Sequence, residues 1–309
     1  MIAVRGTMVS VSVLTPSFNY GQYLQVALNS ASLPGCPVEH VVMDAESTDR
    51  TPEVLAASAQ SVIWRSEPDS GQSDALNKAL KLSSGDVIGW LNADDFYLPT
   101  SLQVVMKHFE EDPALDVLYG DTVLVDADGR ILRLLKAYRG PGKVIEWRGP
   151  VFLSTATFYR RKVLGTDPFD VRMKMLMDWD IFLTLVKNDA LKFKYLPLPL
   201  AAFRVHELQV THDRPGYRSP EHSLLRQKHH IDERFVPLTR SLGVALHRAN
   251  KLARGAWLPE LLVAHRLRGR SLLNSAGQVD VTTARDLMKT VHQASLHGLL
   301  PIFLGGQTT

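Results

Sequence analysis

Residues 85–95 of the chain read Gly85-Asp86-Val87-Ile88-Gly89-Trp90-Leu91-Asn92-Ala93-Asp94-Asp95. The run from Val87 to Leu91 predicts a central strand of a sheet that is covered on both faces, because such strands are apolar throughout rather than alternating. The run ends on Asn92, Asp94 and Asp95, so three oxygen-bearing side chains stand at the carboxyl end of this strand. Open α/β sheets bind ligands at that edge, where adjacent carboxylates need a cation or a proton to offset their repulsion.

Two explanations fit the acidic pair. We interpret residues 92–95 as a site for a divalent metal and a nucleotide phosphate, because hard cations prefer carboxylate oxygens. Alternatively, the two aspartates cap the helix that is expected to begin near Pro99, since Asp is favoured just before a helix N-terminus. The remaining motifs of the chain distinguish the two explanations.

Three strand–helix units precede this stretch. Runs at residues 9–14, 38–43 and 61–65 have the alternating or apolar pattern of strands, and a polar cluster follows each of them. The clusters are therefore expected on the same edge of the sheet as the acidic pair. Their side chains suit hydrogen bonds to a base, a ribose or a phosphate, and they equally suit the capping of the helices that follow.

Composition narrows the class of protein. The chain has 309 residues, 45% hydrophobic and 22% charged, which predicts a soluble globular protein with one large or two smaller domains. A glycine-rich phosphate loop does not follow the first strand, and this argues against dinucleotide-binding dehydrogenases and P-loop enzymes. Cys36 is the single cysteine, so a reducing compartment is expected. With neither a signal-peptide pattern nor an apolar stretch of about 18 residues, we expect a cytoplasmic protein.

Four motifs occur in order along the first third of the chain. They are Thr15-Pro16-Ser17-Phe18-Asn19, Asp44-x-x-Ser47-Thr48-Asp49-x-Thr51, Gly71-Gln72-Ser73-Asp74-Ala75-Leu76-Asn77-Lys78 and the 85–95 stretch. This series resembles the successive signatures of the family-two inverting glycosyltransferases of GT-A fold. The resemblance continues through 154–161, 169–170 and Met177-Asp178-Trp179-Asp180, and it covers residues 8–206. The chain departs from the family pattern in two places: Ala45-Glu46 stands where glycines are frequent, and Asn92 where Asp is commoner.

The resemblance implies an α/β fold with a GT-A-type, Rossmann-like mixed sheet flanked by helices. Residues 1–98 would form the nucleotide-sugar-binding half, and 99–213 the acceptor-binding and catalytic half, of one domain. Residues 214–309 would form a C-terminal helical extension, with helices predicted at 220–232, 236–253, 258–268 and 282–297. Further strands are predicted at 115–119, 122–125, 131–136, 192–196 and 201–205. Residues 138–148 are expected to be a loop that either covers the site or simply connects elements at the surface.

The resemblance also implies a reaction. A sugar would pass from a nucleotide-diphosphate sugar, with UDP favoured, to an acceptor hydroxyl of a glycan or lipid-linked molecule, with Mn²⁺ or Mg²⁺ as cofactor. The residues implied as nucleotide ligands are Pro16, Asn19, Asp44, Ser47, Asp69, Gln72, Asp74, Lys78 and Asn92. Asp94, Asp95 and His206 are implied at the metal, although a lone His is more often structural. Asn92 carries no charge, so we expect it to meet ribose or water while Asp94 ligates the metal.

Asp178 and Asp180 begin a predicted helix at 176–187. Two positions apart, they point in different directions, so only one of them can face a substrate. The resemblance implies that Asp178 is the general base, with Asp180 in a supporting role. Alternatively, both acids simply suit the N-terminus of a helix.

Two other classes of protein remain as alternatives. A non-catalytic module that binds nucleotide sugars or glycans would keep the fold, but it would have lost Asp94 or Asp178 first. A sugar-phosphate nucleotidyltransferase would place a glycine-rich, basic phosphate loop soon after the first strand, and residues 15–20 contain none.

The last third of the chain is basic. From Arg214 to Arg270 it contains twelve Lys/Arg and four Asp/Glu, interleaved with Leu and Trp. Helices of this composition are expected either to lie on an anionic membrane, placing the protein at the inner membrane face, or to grip a lipid-pyrophosphate acceptor. Alternatively, their apolar residues pack on the catalytic domain or on a second subunit of a homo-oligomer. We do not expect a nucleic-acid partner.

Overall fold

The computed structural model describes residues 8–140, 142–207, 209, 215–232 and 236–297. Its strands, in chain order, are β1 (Val11–Ser17), β2 (Val38–Asp44), β3 (Ile63–Ser66), β4 (Val87–Trp90), β5 (Phe96–Tyr97), β6 (Val117–Val125), β7 (Ile131–Leu135), β8 (Thr157–Arg160) and β9 (Phe193–Arg204). The helices are α1 (Gly21–Ala31), α2 (Thr51–Ser58), α3 (Gln72–Leu82), α4 (Ser101–Glu111), α5 (Gly142–Arg148), α6 (Met177–Val186), α7 (Pro215–Lys228), α8 (Val236–Ala253), α9 (Trp257–Arg266) and α10 (Val281–His297).

All nine strands of the described residues belong to one mixed sheet. The order is β3-β2-β1-β4-β8-β6-β9-β5, and β7 pairs with residues 122–125 of β6, beyond residues 117–119 that pair with β8. The first four strands of this order are parallel, β8 runs antiparallel to both of its neighbours, and β6 and β9 are parallel. The carboxyl ends of β1, β2 and β4 therefore meet at one edge, as the strand–helix units predicted.

The central strand β4 is buried at all four of its residues, which confirms the prediction of a covered strand. Its Gly89 is needed for close packing. A Cβ atom built there would lie 2.6 Å from the Tyr97 hydroxyl and 2.9 Å from the Phe158 ring. Since real Cβ atoms do not approach other atoms so closely, a side chain at this position would push those aromatic groups off the sheet.

Three local predictions were wrong. The two short strands predicted at 115–119 and 122–125 are a single strand, β6, because Gly120 and Asp121 continue it despite shifts in register. Likewise, 192–196 and 201–205 are joined in β9 across two prolines, which are tolerated where the ladder is irregular. Residues 142–148, predicted as loop, form α5, which buries Val144 and Ile145. Pro141 lies outside the described residues.

The predicted C-terminal helices are present, as α7 to α10, with bounds shifted by a few residues. Helices α9 and α10 share an apolar cluster with the sheet, in which Val263 and Leu287 pack with Val123 and Ile131. The predicted domain boundary at residue 214 lies outside the described residues and remains a prediction. None of the described helices has the length and apolar character that a membrane crossing requires.

Candidate functional site

A cavity of about 610 Å³ opens at the carboxyl edge of the parallel strands. Six of the predicted site residues line it, namely Pro16, Asp69, Gln72, Asn92, Asp94 and Asp178. They come from the ends of β1 and β4, from the loop before α3, from α3 itself and from the start of α6. The fold therefore brings the predicted metal ligand and the predicted base into the same cavity.

Asn92 is held by hydrogen bonds between α3 and the acidic pair. Its Oδ1 accepts hydrogen bonds from Gln72 Nε2 at 2.6 Å and from Trp90 Nε1 at 2.8 Å. Its Nδ2 donates to Asp95 Oδ2 at 3.1 Å. An aspartate at this position would lack that donor and would add a third carboxylate beside Asp95, which is electrostatically unfavourable. This local network explains why the chain departs from the commoner Asp here.

Asp95 is buried and does not line the cavity. Besides Asn92, its carboxylate accepts hydrogen bonds from Thr155 Oγ1 at 2.7 Å and from the Arg204 backbone N–H at 2.9 Å. Burial, followed by the charge of Asp94, raises the pKa of Asp95 well above its usual range. The contacts of Asp95 tie β9 and the segment before β8 to the end of β4, beside the cavity-lining Asp94.

Asp94 and His206 meet although they are 112 positions apart in the chain, with 2.9 Å between Asp94 Oδ2 and His206 Nε2. Two neighbouring ligands of a divalent cation, each bound at about 2.1 Å, lie about 3 Å apart, so the spacing of this hydrogen-bonded pair is compatible with two ligands of one cation. The carboxylate oxygen is the donor that Mn²⁺ and Mg²⁺ prefer, and the imidazole is the less usual one. His206 Nδ1 has no hydrogen-bond partner among the described atoms, so no protein group there fixes which ring nitrogen carries the hydrogen. No three His, Cys, Asp or Glu side chains of the described residues converge on one ion. Such a metal would therefore need oxygens from a ligand as well.

Asp178 stands half-buried at the start of α6 and lines the cavity. Its Oδ1 accepts the Trp179 backbone N–H at 2.7 Å. Burial raises the pKa of Asp178 to about 6. A carboxylate with such a pKa is a stronger proton acceptor than an ordinary aspartate and is still ionised at neutral pH, as a general base requires.

Asp180 points elsewhere, as the two-residue spacing predicted. It is buried, and its carboxylate accepts hydrogen bonds from Lys228 Nζ and His229 Nε2, both at 2.7 Å. It does not line the cavity. The structure therefore places Asp180 as an anchor between α6 and the end of α7, about half a turn around the helix from Asp178.

We expect the substitution Asp180→Asn to destabilise the protein by about 2–3 kcal/mol, because the amide oxygen accepts from only one of the two donors and the amide NH₂ faces the other. Urea unfolding measures this loss. Turnover, measured well below the melting temperature, should fall far less than in Asp178→Asn. An Asp180→Asn protein of unchanged stability but abolished turnover would reverse the assignment of the two acids.

The other predicted nucleotide ligands shape loops rather than line the cavity. Asp44 is buried and accepts from Ser47 and from Ser66 Oγ at 2.6 Å. Asn19 makes two hydrogen bonds to the β2–α2 loop. Its backbone N–H donates to Ser47 Oγ at 2.7 Å, and its Oδ1 accepts from the Thr48 backbone N–H at 2.9 Å. These contacts fix the β1 and β2 loops to each other, beside the lining residues Ala45 and Glu46.

Asp74 and Lys78 likewise do not line the cavity but hold a loop beside it. Asp74 accepts the Ser70 N–H at 3.0 Å, and Lys78 donates to the Pro68 carbonyl at 2.8 Å and pairs with Glu67. Together they hold the loop that presents Asp69 to the cavity. Asp69 is itself held by the Gly71 N–H, which donates to its Oδ1 at 2.7 Å.

Several lining residues were not predicted from the sequence. Leu153, Met175, Met177, Phe203 and Gln209 line the cavity. They lie in irregular segments or inside apolar patterns that are typical of any core, so no sequence signal separates them from packing residues. Glu46 also lines the cavity, in the left-handed backbone region with φ 55°. Since glycine adopts that region without strain, this conformation accounts for the glycines that are frequent there in the resembled family.

The model of the family described as glycosyl transferase family 2 matches residues 12–166, half of the chain. A PGL/p-HBAD biosynthesis glycosyltransferase of Mycobacterium bovis is 27% identical over 209 residues, which is 62% of this chain and 75% of the relative. Among solved structures, S. aureus TarS 1-349 in complex with UDP has a TM-score of 0.54 at 18% identity, covering 96% of this chain and 92% of that one. Mannosyltransferase PcManGT from Pyrobaculum calidifontis, in complex with GDP-Man and Mn2+, has a TM-score of 0.51 at 16% identity, covering 94% and 88%.

These likenesses confirm the fold predicted from the motifs, a mixed sheet flanked by helices with further helices at the C-terminus. The family model spans the four motifs at the edge of the sheet, from the end of β1 to the acidic pair. The chain therefore belongs to glycosyl transferase family 2.

Proposed function

We propose that this protein is a metal-dependent, inverting glycosyltransferase that moves a sugar from a nucleotide-diphosphate sugar to an acceptor hydroxyl in glycan or glycolipid synthesis. One observation carries the proposal: Asp94 and Asp178, which come from distant parts of the chain, line the same cavity. A module that only binds a nucleotide sugar has no need of a half-buried carboxylate with a raised pKa beside its ligand. The structures of TarS with UDP and of PcManGT with GDP-Man and Mn2+, which share this fold, are in keeping with such a donor.

In the proposed reaction, the side chains along β1, β2 and α3 bind the nucleotide. Asp69 and Gln72 face the cavity as hydrogen-bonding partners for the base and ribose, and Asn92 joins them at the acidic pair. Asp94, together with its hydrogen-bond partner His206, would hold Mn²⁺ or Mg²⁺. When bound, that cation neutralises the charge that develops on the departing diphosphate.

Asp178 would accept the proton of the acceptor hydroxyl as that oxygen attacks the anomeric carbon from the face opposite the leaving diphosphate. A single displacement of this kind inverts the anomeric centre and requires no covalent enzyme intermediate. Leu153, Met175 and Met177 share the cavity with Asp178. These apolar walls limit the access of water to the base, which favours transfer to an acceptor over hydrolysis of the donor.

Binding of nucleoside diphosphates and nucleotide sugars, with and without Mn²⁺, tests the proposal. A ligand of the native state raises the melting temperature by mass action, so a thermal-shift panel identifies the nucleotide. We expect one nucleotide to stabilise the protein strongly when Mn²⁺ is present and weakly in chelator. Release of the nucleoside diphosphate then reports turnover, measured as transfer to added acceptor alcohols or as the slower hydrolysis in which water is the acceptor. Stabilisation without any turnover of the matching nucleotide sugar would favour the binding module.

The raised pKa of Asp178 predicts a pH profile. Because the base is active when ionised, kcat/KM should be constant above pH 7 and fall as the pH drops through about 6, by about tenfold per unit at lower pH. A series at saturating Mn²⁺ and constant ionic strength measures this fall. The residual activity of Asp178→Asn should lack the step near pH 6. A step retained in that variant would belong to another group.

A further inference from the structure

Helix α8 presents an uncovered apolar face. Leu238, Leu242, Leu246 and Leu252 are exposed by 60%, 48%, 40% and 74%. They recur at helical spacing with the exposed Ala245, Ala249 and Ala253, so these seven side chains share one side of the helix. We call these seven residues the α8 face. It contains no charged residue, which is the opposite of an ordinary solvent-facing helix surface.

The other side of α8 is fixed to the protein. Gly243 packs against α5 so closely that a Cβ atom there would lie 2.9 Å from Trp147 Cβ. His247 Nδ1 lies 3.1 Å from the Tyr138 hydroxyl, and Lys251 pairs with Glu260 of α9. These contacts hold the helix in one rotation about its axis, so the α8 face stays outward.

The apolar exposure continues into α9, where Trp257 is exposed by 47% and Leu261 by 62%. Of the twelve large hydrophobic side chains that are exposed in the described part of the chain, six lie between residues 238 and 261. Single exposed hydrophobic side chains are normal, but a concentration of this kind marks a surface that a membrane or another protein covers.

The surroundings of the α8 face are basic. Residues 236–268 contain six Lys/Arg and one acid, Glu260, and α8 itself contains no Asp or Glu. Arg240 and Arg248 are exposed and form no ion pair with any residue that the structure describes. Glu260 is already engaged, since it accepts from Lys251 and from the backbone N–H of Lys136. The charge that complements this surface is therefore negative and must come from the covering body.

We propose that the α8 face, with Trp257 and Leu261, binds the surface of an anionic membrane. The leucines would enter the boundary between headgroups and acyl chains, Trp257 would lie at headgroup level, and Arg240 and Arg248 would contact lipid phosphates. A second copy of the chain fits less well, because a symmetric contact would set the same basic helix against itself with no free acid on either side.

The surface lies near the candidate base. Helix α8 packs on α5, and the carbonyl of Ile145 in α5 accepts the indole N–H of Trp179 at 2.8 Å. Trp179 adjoins Asp178 in the sequence. A membrane bound to the α8 face would therefore be separated from α6 by two packed helices, α8 and α5. The proposal does not depend on the sugar-transfer reaction, because its test measures binding alone.

Co-sedimentation of the full chain with vesicles tests the proposal. We expect binding to vesicles of phosphatidylcholine mixed with phosphatidylglycerol, release at high salt, and little binding to phosphatidylcholine alone. The double substitution Leu242→Gln/Leu246→Gln should weaken binding by about tenfold or more, since it removes buried apolar area while Gln keeps the helix. Arg240→Ser and Arg248→Ser should each weaken it by about fivefold.

Val281→Gln is the matched control, because Val281 is 53% exposed at the start of α10, outside the patch, and its replacement should leave binding unchanged. Melting curves verify that every variant is folded. Equal binding to neutral and anionic vesicles, or binding that survives the leucine substitutions, would overturn the proposal. Absence of vesicle binding would overturn it too. In that case, a dimer seen by light scattering and lost in Leu242→Gln/Leu246→Gln would identify the covering body as a second copy.

Discussion

Asp178→Asn is expected to lower turnover by a factor on the order of 10² or more, while donor binding stays close to that of the unsubstituted protein. Asn is nearly isosteric with Asp, and its Oδ1 still accepts the Trp179 N–H, so the start of α6 keeps its shape. What is lost is the group that takes the proton. Calorimetric titration of the donor nucleotide measures binding, and release of the nucleoside diphosphate measures turnover.

The same substitution should stabilise the protein at high pH. The pKa of Asp178 is about 6 in the folded state and close to 3.8 when unfolded, so the folded state disfavours the ionised form. This destabilisation is absent below pH 3.8, grows between the two values and is complete above pH 6. Asn carries no such charge. At pH 8 the variant should therefore melt higher by about 2–4 °C for each kcal/mol regained, and the gain should shrink as the pH approaches 5.

Asp180→Asn serves as the matched control, since it changes the neighbouring acid of the same helix. There the stability should fall and turnover should be affected far less. The two variants should therefore change stability in opposite directions at pH 8 and change turnover by very different amounts. If Asp178→Asn retained turnover within a few fold of the original, or if it melted lower at pH 8, Asp178 would be a structural acid and the base would have to be sought among the other cavity residues.

Asp94→Ala is expected to abolish the Mn²⁺-dependent part of nucleoside diphosphate binding. The change removes the carboxylate that, with His206, forms the donor pair at the cavity, and a hard cation gains no comparable ligand from alanine. The remaining affinity should match that of the original protein measured in chelator. Titration of the nucleoside diphosphate, with and without Mn²⁺, measures the difference.

Asp128→Ala is the control for that experiment, because Asp128 is an exposed acid in the turn between β6 and β7 and does not line the cavity. It should leave the response to Mn²⁺ intact. Since removal of Asp94 also leaves the buried His206 without its partner, a melting curve is needed to verify the fold. Undiminished Mn²⁺-dependent binding in a folded Asp94→Ala protein would show that the metal, if used, is held elsewhere.

Much of the proposed nucleotide-binding part of the site, at the ends of the parallel strands, could be predicted from the sequence. The run from Val87 to Leu91 predicts a covered strand because its burial on both faces removes the need for polar residues. Successive strand–helix units place their carboxyl ends together whatever their packing details, so Asp69, Asn92 and Asp94 were predicted near one another. In each case the signal is local, since periodicity and the order of the elements within a short segment are sufficient.

The surroundings of the proposed base, Asp178, could be predicted only in part. Asp178 was selected through the family resemblance, but the residues around it, such as Met175 and Leu153, have the same apolar character as a core residue. Helix α5 was missed because its seven residues are too short for a helical period to stand out from a loop. Its helical form follows from packing against α6 and α8, which no local pattern reveals.

By itself, the sequence determined the order of the strand–helix units, the edge at which their polar residues collect and the family to which the chain belongs. The tertiary structure decided which of those residues face the cavity. Asp95 and Asp180 carry the same carboxylate as Asp94 and Asp178, yet they are turned inward because their hydrogen-bond donors lie there. These donors are distant in the chain: Arg204 is 109 positions from Asp95, and Lys228 and His229 are 48 and 49 positions from Asp180. Hydrogen-bond partners at such separations are set by how the elements pack, because the spacing of residues within one segment contains no information about a donor on another.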